Sequence, residues 1–151
     1  LSRQGLPVLE EARELGADGV ARGAYILFDD QGEAPQIVIV ATGGEVSLAI
    51  DARAELARRG IGARVVSMPS WELFREQSKD YRRSVLPVGI PRLAVEAGVT
   101  LGWAEFVGDS GAVIGIDRFG ASAPGAEVAK RLGLTVEAVV AKAVEIMGKN
   151  V

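Results

Sequence analysis

The feature that most constrains the fold of this chain is an uninterrupted apolar run, Ile37 to Ala41, followed directly by a glycine turn. Its β-branched residues are typical of a strand covered on both faces, as the strands of parallel sheets are. Thr42, Gly43 and Gly44 break the run where the backbone must turn. Glu45 then lies in the first turn of an amphipathic helical pattern, where the helix dipole favours a carboxylate. The stretch indicates half of a βαβ unit.

The remaining patterns predict where the other strands and helices lie. A first strand at residues 24–28 is joined to the apolar run by a short loop, which predicts that these two strands are antiparallel neighbours. Residues 79–87 are interpreted as a polar connecting stretch. Three more strands are predicted at residues 63–68, 92–97 and 112–116, and helices at 45–59, 71–78, 103–107 and 126–132, with a final helix capped by Thr135. This order predicts an α/β fold: a three-layer α/β/α domain with a five-stranded, mostly parallel sheet and one antiparallel edge strand.

Composition excludes several classes of protein. A length of 151 residues suits one domain, and 48% hydrophobic with 25% charged residues excludes a disordered chain. A net charge of -3 gives no electrostatic footprint for nucleic acid. No apolar run is long enough to span a membrane and no signal peptide opens the chain, so we expect no membrane partner and a cytoplasmic location. Because Leu1 is not an initiator methionine, we expect the chain to be part of a longer polypeptide.

Two residue types are absent, and both absences bear on chemistry. The chain has no cysteine and no histidine. It therefore lacks thiolate nucleophiles, disulfides and Cys-ligated zinc, and it also lacks the usual general base at neutral pH. Any catalysis by this chain alone would need carboxylates, lysine or tyrosine.

Two glycine motifs have both a functional and a structural interpretation. The turn at Gly43, Gly44 and Glu45 could offer backbone N–H groups to a phosphate. It matches no phosphate-binding signature, however, and Glu45 would repel an anion, so a tight strand-to-helix turn is favoured. The segment 108–111, GDSG, is similar to the nucleophile signature of trypsin-like proteases. That serine needs an imidazole base, which the chain lacks, so a polar β-turn is favoured here as well.

Carboxylates also follow two predicted strands. Glu96 and Asp117 could converge at the carboxyl edge of the sheet as an acid–base pair. An ion pair between Asp117 and the adjacent Arg118 is the favoured structural alternative.

Large aromatic side chains are concentrated in the segments that leave the strands. Aromatic residues are enriched in protein interfaces, yet they also fill cores, and the sequence leaves both readings open. The residues concerned are Trp71, Phe74, Tyr81, Trp103, Phe106 and Phe119.

A set of short motifs, in a fixed order over nearly the whole chain, resembles the transketolase family. Gly44 departs from the pattern, since the family usually has serine there. The motif at 116–124 separates transketolases from other thiamine-dependent enzymes, which are a further alternative. The motifs are LSRQ at 1–4, GAYIL at 23–27, ATGGEV at 41–46, RVVSMPS at 64–70, YRRSVLP at 81–87, AVEAG at 94–98, GW at 102–103 and IDRFGASAP at 116–124.

The resemblance implies that residues 1–22 are the end of a preceding domain and a linker, and that residues 23–151 are the transketolase C-terminal α/β domain. Transketolases transfer a two-carbon ketol unit from a ketose phosphate to an aldose phosphate, using thiamine diphosphate and a divalent metal, Mg or Ca. The family is dimeric, and both cofactors are held by the two preceding domains. The resemblance therefore implies a non-catalytic chain with structural and dimer-contact roles, without catalytic, cofactor-binding or metal-binding residues of its own.

One residue is an exception, because the arginine of LSRQ binds the substrate phosphate in the family. It corresponds to Arg3. A guanidinium suits this role, since its planar fork donates paired, charge-assisted hydrogen bonds to phosphate oxygens.

The alternative reading of the whole chain is an autonomous α/β module that binds a small anionic ligand at the carboxyl edge of the sheet.

Overall fold

The computed structural model describes residues 17–29, 34–118 and 125–148 of the chain. Strands and helices alternate through most of it, as expected for an α/β fold. Within the described residues, no helix has the length and apolar character that crossing a membrane requires. The elements are α1 (residues 17–21), β1 (Tyr25–Phe28), β2 (Ile37–Ala41), α2 (Glu45–Arg58), β3 (Ala63–Ser67), α3 (Trp71–Arg75), α4 (Lys79–Val85), β4 (Arg92–Val95), α5 (Ala104–Val107), β5 (Ala112–Ile114), α6 (Gly125–Leu132) and α7 (Val136–Gly148).

The sheet has five strands in the order β1-β3-β2-β4-β5. Strand β2 pairs in parallel with both β3 and β4, and β5 continues the parallel set beside β4. Strand β1 runs antiparallel along the outer side of β3. The predicted fold class, with one antiparallel edge strand, is thus confirmed.

The expectation that β1 and β2 are neighbours is wrong, because β3 lies between them. Both sides of β2 are already occupied by parallel strands, with Ile39 opposite Val65 of β3 and Leu93 of β4. A short loop favours a hairpin only when the first strand has a free neighbouring edge to pair with. Here the crossover through α2 returns β3 to that edge first, and β1 pairs on its far side.

The side chains of β2 divide the core into two layers. Ile37, Ile39 and Ala41 belong to the layer beneath α2 and α7. Val38 and Val40 belong to the layer on the opposite face, beneath α3, α4 and α5. Every residue of β2 is 0% exposed, which explains why the sequence of this strand shows no polar alternation.

The segment at residues 79–87, interpreted from the sequence as a polar stretch, contains a helix instead. Ser78 caps α4, because its hydroxyl accepts a hydrogen bond from the Tyr81 amide at 3.2 Å. Val85 is buried, and the Tyr81 hydroxyl donates to the Ala24 carbonyl at 2.8 Å. One capping serine and two inward-facing residues are enough to fix a helix whose other side chains are charged.

Gly23 closes the connection between α1 and β1, at the first residue of the predicted C-terminal domain. Its φ of +79° is in the left-handed region, and its carbonyl accepts a hydrogen bond from the Ser70 amide at 3.0 Å. A Cβ at this position would lie 2.3 Å from the Ser70 carbonyl oxygen and 2.4 Å from the Phe74 nitrogen. Gly60, at the end of α2, has a similar φ of +74°, but a Cβ there would meet open space.

These two glycines give a matched stability test. We expect Gly23→Ala to lower the free energy of unfolding by about 3 kcal/mol or more, because backbone strain adds to overlap with backbone atoms. Gly60→Ala should cost about 1 kcal/mol, since only the strain applies. Urea denaturation of both variants measures the difference. Equal losses would show that the close approach at Gly23 is not rigid.

Candidate functional site at the carboxyl edge of the sheet

The loops that follow β2, β3, β4 and β5 meet at one edge of the sheet, where open α/β folds bind ligands. The first of these loops is the predicted glycine turn: Gly43 has a φ of +58°, and the Glu45 amide donates to the Thr42 carbonyl at 3.2 Å. Gly44 caps α2 without any side-chain hydrogen bond. The turn is therefore tight and leads directly into the helix, as the sequence predicts.

Two carboxyl groups at this edge are close enough for the charge of one to act on the other, those of Glu45 and Glu96. Glu45 lies in the first turn of α2. Burial raises its pKa, and the backbone amides of Glu45 and Ala97 act in the opposite direction without offsetting this effect. Burial and, after it, the charge of Glu45 raise the pKa of Glu96. This pair was not predicted, because it depends on β2 and β4 being neighbours.

Asp117 does not form either of the predicted pairs. One carboxylate oxygen accepts from the Thr100 amide at 2.8 Å, and the other accepts from the Thr100 hydroxyl at 2.8 Å. These hydrogen bonds lower the pKa of Asp117. Arg118 donates instead to the Arg131 carbonyl at 2.8 Å. Asp117 thus fixes the loop after β4 to the loop after β5, which is a structural role.

The GDSG segment forms the polar turn that was favoured over a protease motif. Gly108 has a φ of +69°, and the Gly111 amide donates to its carbonyl at 3.3 Å. The turn lies between α5 and β5.

Most of these aromatic side chains pack in the core and are not exposed as an interface would require. Trp103, Phe74 and Phe106 are at most 4% exposed, and Trp71 and Tyr81 pack against the same layer. The ring of Trp71 meets that of Trp103 edge-on, at 5.0 Å between centroids. Phe119 lies outside the described residues. For the five described aromatic residues, core packing is the account that the contacts support.

Apolar side chains are nevertheless exposed on the loop after β4. Val99 is 58% exposed and Leu101 is 79% exposed. Both belong to the loop that Thr100 and Asp117 hold in place. This loop therefore presents an ordered apolar surface beside the carboxylates of the sheet edge.

Among residues 17–29, 34–118 and 125–148, no group of three or more acidic, histidine or cysteine side chains could hold a metal ion. Arg3, the one residue to which the sequence assigns a substrate contact, lies outside the described residues.

The fold and edge define a three-layer α/β domain with acidic, tightly turned loops at its carboxyl end. The chain matches the family model described as the transketolase-like TK C-terminal domain over residues 23–135. It is 51% identical over 144 residues to a transketolase of Halalkalibacterium halodurans, covering 95% of this chain and 22% of that protein. It is 45% identical over 150 residues to a transketolase of Geobacillus stearothermophilus, covering 99% of this chain and 22% of that protein.

Solved structures give the same result. A Pichia stipitis transketolase, described as a complex with xylulose 5-phosphate, superposes with a TM-score of 0.87 at 40% identity, covering 97% of this chain and 21% of that one. A Leishmania mexicana transketolase superposes with a TM-score of 0.81 at 45% identity, covering 87% of this chain and 19% of that one. The chain belongs to the transketolase family and corresponds to its C-terminal domain, spanning about a fifth of the length of these relatives.

The carboxyl pair at the edge predicts how stability depends on pH. A raised pKa means that the folded state binds the proton more tightly than the unfolded state does. The stability that this tighter proton binding contributes is fully present at a pH below the ordinary pKa of glutamate. It is lost as the pH rises through the raised pKa of the folded state. Glu96→Gln should therefore stabilise the fold at pH 7, by no more than about 1 kcal/mol because solvent screens these half-exposed groups. The gain should vanish near about pH 3, where the glutamates are protonated.

Glu72→Gln is the matched control, because its own amide and the Ser70 hydroxyl lower the pKa of Glu72. This substitution should destabilise the fold at pH 7, whereas Glu96→Gln should stabilise it. Urea denaturation at both pH values measures the two variants. A Glu96→Gln variant that is less stable than the parent at pH 7 would contradict the proposed repulsion.

Proposed function

We propose that this chain is the C-terminal domain of an intact transketolase, a transferase that moves a two-carbon ketol unit from ketose phosphates to aldose phosphates. The observation that carries the proposal is the family match over residues 23–135, at about a fifth of the length of full transketolases. The domain itself is non-catalytic. Its role is to support the preceding domains and to contribute to subunit contact.

The cofactors of that reaction, thiamine diphosphate and a divalent Mg or Ca ion, do not fit the described residues. The carboxyl edge carries Glu45 and Glu96, whose charges oppose a diphosphate. The described acidic side chains form no metal-binding group either. We therefore assign both cofactors to the domains that precede residue 23, with residues 1–22 as the end of a domain and a linker.

Contact with other parts of the enzyme is supported by the loop after β4. Val99 and Leu101 are exposed and apolar, yet they lie on a loop held by the two Asp117–Thr100 hydrogen bonds. Ordered apolar surface of this kind is typical of sites where a partner packs. We assign it to packing against the preceding domains or the second subunit of a homodimer in a cytoplasmic enzyme of the pentose phosphate pathway.

The alternative, an autonomous module that binds an anion at the carboxyl edge, is less well supported by this geometry. An anionic ligand there would lie beside Glu45 and Glu96, whose pKa values are already raised by burial. Adding negative charge to that edge would raise the electrostatic energy further.

The activity can be tested on the full-length protein that contains this chain. With thiamine diphosphate and Mg²⁺, we expect ketol transfer from a ketose phosphate to an aldose phosphate, measured by the appearance of the new ketose. Omitting thiamine diphosphate should abolish the transfer, and the 151-residue chain alone should show none. Transfer catalysed by the isolated chain would contradict the proposal that this domain is non-catalytic.

Arg3 gives a second test in the same full-length protein. Arg3→Ala should raise the Michaelis constant for phosphorylated substrates about tenfold, because it removes charge-assisted hydrogen bonds worth roughly 1.5–3 kcal/mol. Thiamine diphosphate affinity should stay unchanged. Arg58→Ala, on the exposed end of α2, is the control and should leave both constants unchanged. An unchanged Michaelis constant in Arg3→Ala would refute the assigned phosphate contact.

A further inference from the structure

A cavity lies at the opposite, amino edge of the sheet, where the chain enters β4. Its volume is about 230 Å³, and α3, α4, α5 and the start of β4 contribute its walls. Its lining is strongly basic, although the chain as a whole carries a net charge of -3. The cations are Arg75, Lys79, Arg82, Arg83 and Arg92.

Among the described residues of the lining, Glu105 is the one acid, and it is already paired. Arg75 holds its carboxylate in a bidentate ion pair, with Nε 2.9 Å from Oε1 and Nη2 2.7 Å from Oε2. The other four cations form no ion pair with any described residue. Asp80 belongs to α4 but does not line the cavity. Five cations and one carboxylate give the described lining an excess of positive charge, although the hydrogen bonds of Arg75 and, after them, the charges of Arg75 and Arg82 lower the pKa of Glu105.

Arg92 is the most firmly held of these cations. Its guanidinium donates to the carbonyls of Phe106 at 2.8 Å, Pro87 at 2.9 Å and Leu86 at 3.1 Å. Its Nε is buried with no hydrogen-bond partner, and burial lowers the pKa of the group. Because both of its Nη atoms already donate to carbonyls, Arg92 would act on an anion in the cavity through its charge.

The arrangement of the cations is suited to a ligand with more than one charge. The arginines at 82 and 83 extend from α4 as exposed side chains that form no ion pair with a described residue, so their donors remain available to a ligand. The donors of Arg75 and Arg92 are already engaged. Guanidinium groups bind phosphate oxygens with paired, charge-assisted hydrogen bonds. The volume corresponds to roughly eight water molecules, which is enough for a diphosphate group.

We propose that this basic cavity binds a multivalent phosphate anion of the diphosphate class, at a site separate from the carboxyl edge. The inference rests on the cavity alone and does not depend on the proposed ketol transfer. The diphosphate group can be free or carried by an organic molecule, and the chemistry that recognises it is the same.

The experiment is isothermal titration calorimetry of the 151-residue chain with inorganic diphosphate and, separately, with a nucleoside diphosphate. We expect saturable binding at one site. The double variant R82Q/R83Q should weaken it about tenfold or more, because it removes two unpaired charged donors. Tighter binding of the nucleoside diphosphate would assign the site to an organic diphosphate, and equal binding would assign it to the diphosphate group alone.

The matched control is R58Q/R59Q, which removes the same charge from another pair of adjacent, exposed arginines. These line a different cavity, where Asp51, Glu55 and Glu137 balance them. The control should change affinity by less than about twofold, because exposed charges beyond about 10 Å are screened. Absence of saturable binding by the parent chain, or equal weakening in both double variants, would overturn the proposal.

Discussion

The structure depends on the complete burial of strand β2. All five of its residues, Ile37 to Ala41, are 0% exposed, and their side chains alternate between the two core layers. A strand buried in this way must have paired neighbours on both sides, because an unpaired buried backbone group is costly. Strands β3 and β4 provide that pairing in parallel registers. Helix layers on both faces follow from the same requirement.

The central position of β2 also determines which charged residues lie together at each edge of the sheet. Because β2 and β4 are parallel neighbours, the groups that follow them are brought together, and this places Glu45 beside Glu96. Strand β4 begins at Arg92 and is followed by Glu96, so its two ends carry opposite charge. The carboxyl edge is consequently acidic, and the amino edge forms the basic cavity. The edge at which α/β folds usually bind ligands is here the one least suited to an anion.

Local patterns were enough to predict much of this arrangement. The apolar run of β2, the turn at Gly43 and the cap at Thr135 each depend on nearby residues, and all three are confirmed. The pairing of β1 could not be derived in the same way. It depends on both edges of β2 being occupied by β3 and β4, which is a matter of long-range packing. The helix α4 was missed because a single capping serine, Ser78, outweighs a strongly polar sequence.

The candidate sites also combine features that local sequence predicts with features that depend on long-range packing. The sequence showed that Glu96 and Asp117 come after strands, but the pairing with Glu45 and the hydrogen bonds to Thr100 depend on strand order and loop conformation. The basic cavity likewise joins residues from separate elements, with Arg75 and Arg92 17 positions apart in the printed sequence. Family motifs identified what kind of domain this is, whereas its charge distribution required the fold.

Native-state hydrogen exchange of the 151-residue chain tests most directly whether buried β2 holds the domain together. If it does, the amides of residues 38–41 exchange only through global unfolding and are the slowest in the chain, while those of α4 exchange through smaller openings. Exchange at β2 that is faster than global unfolding allows would contradict the account, because it would mean that the central strand opens while the rest of the fold persists.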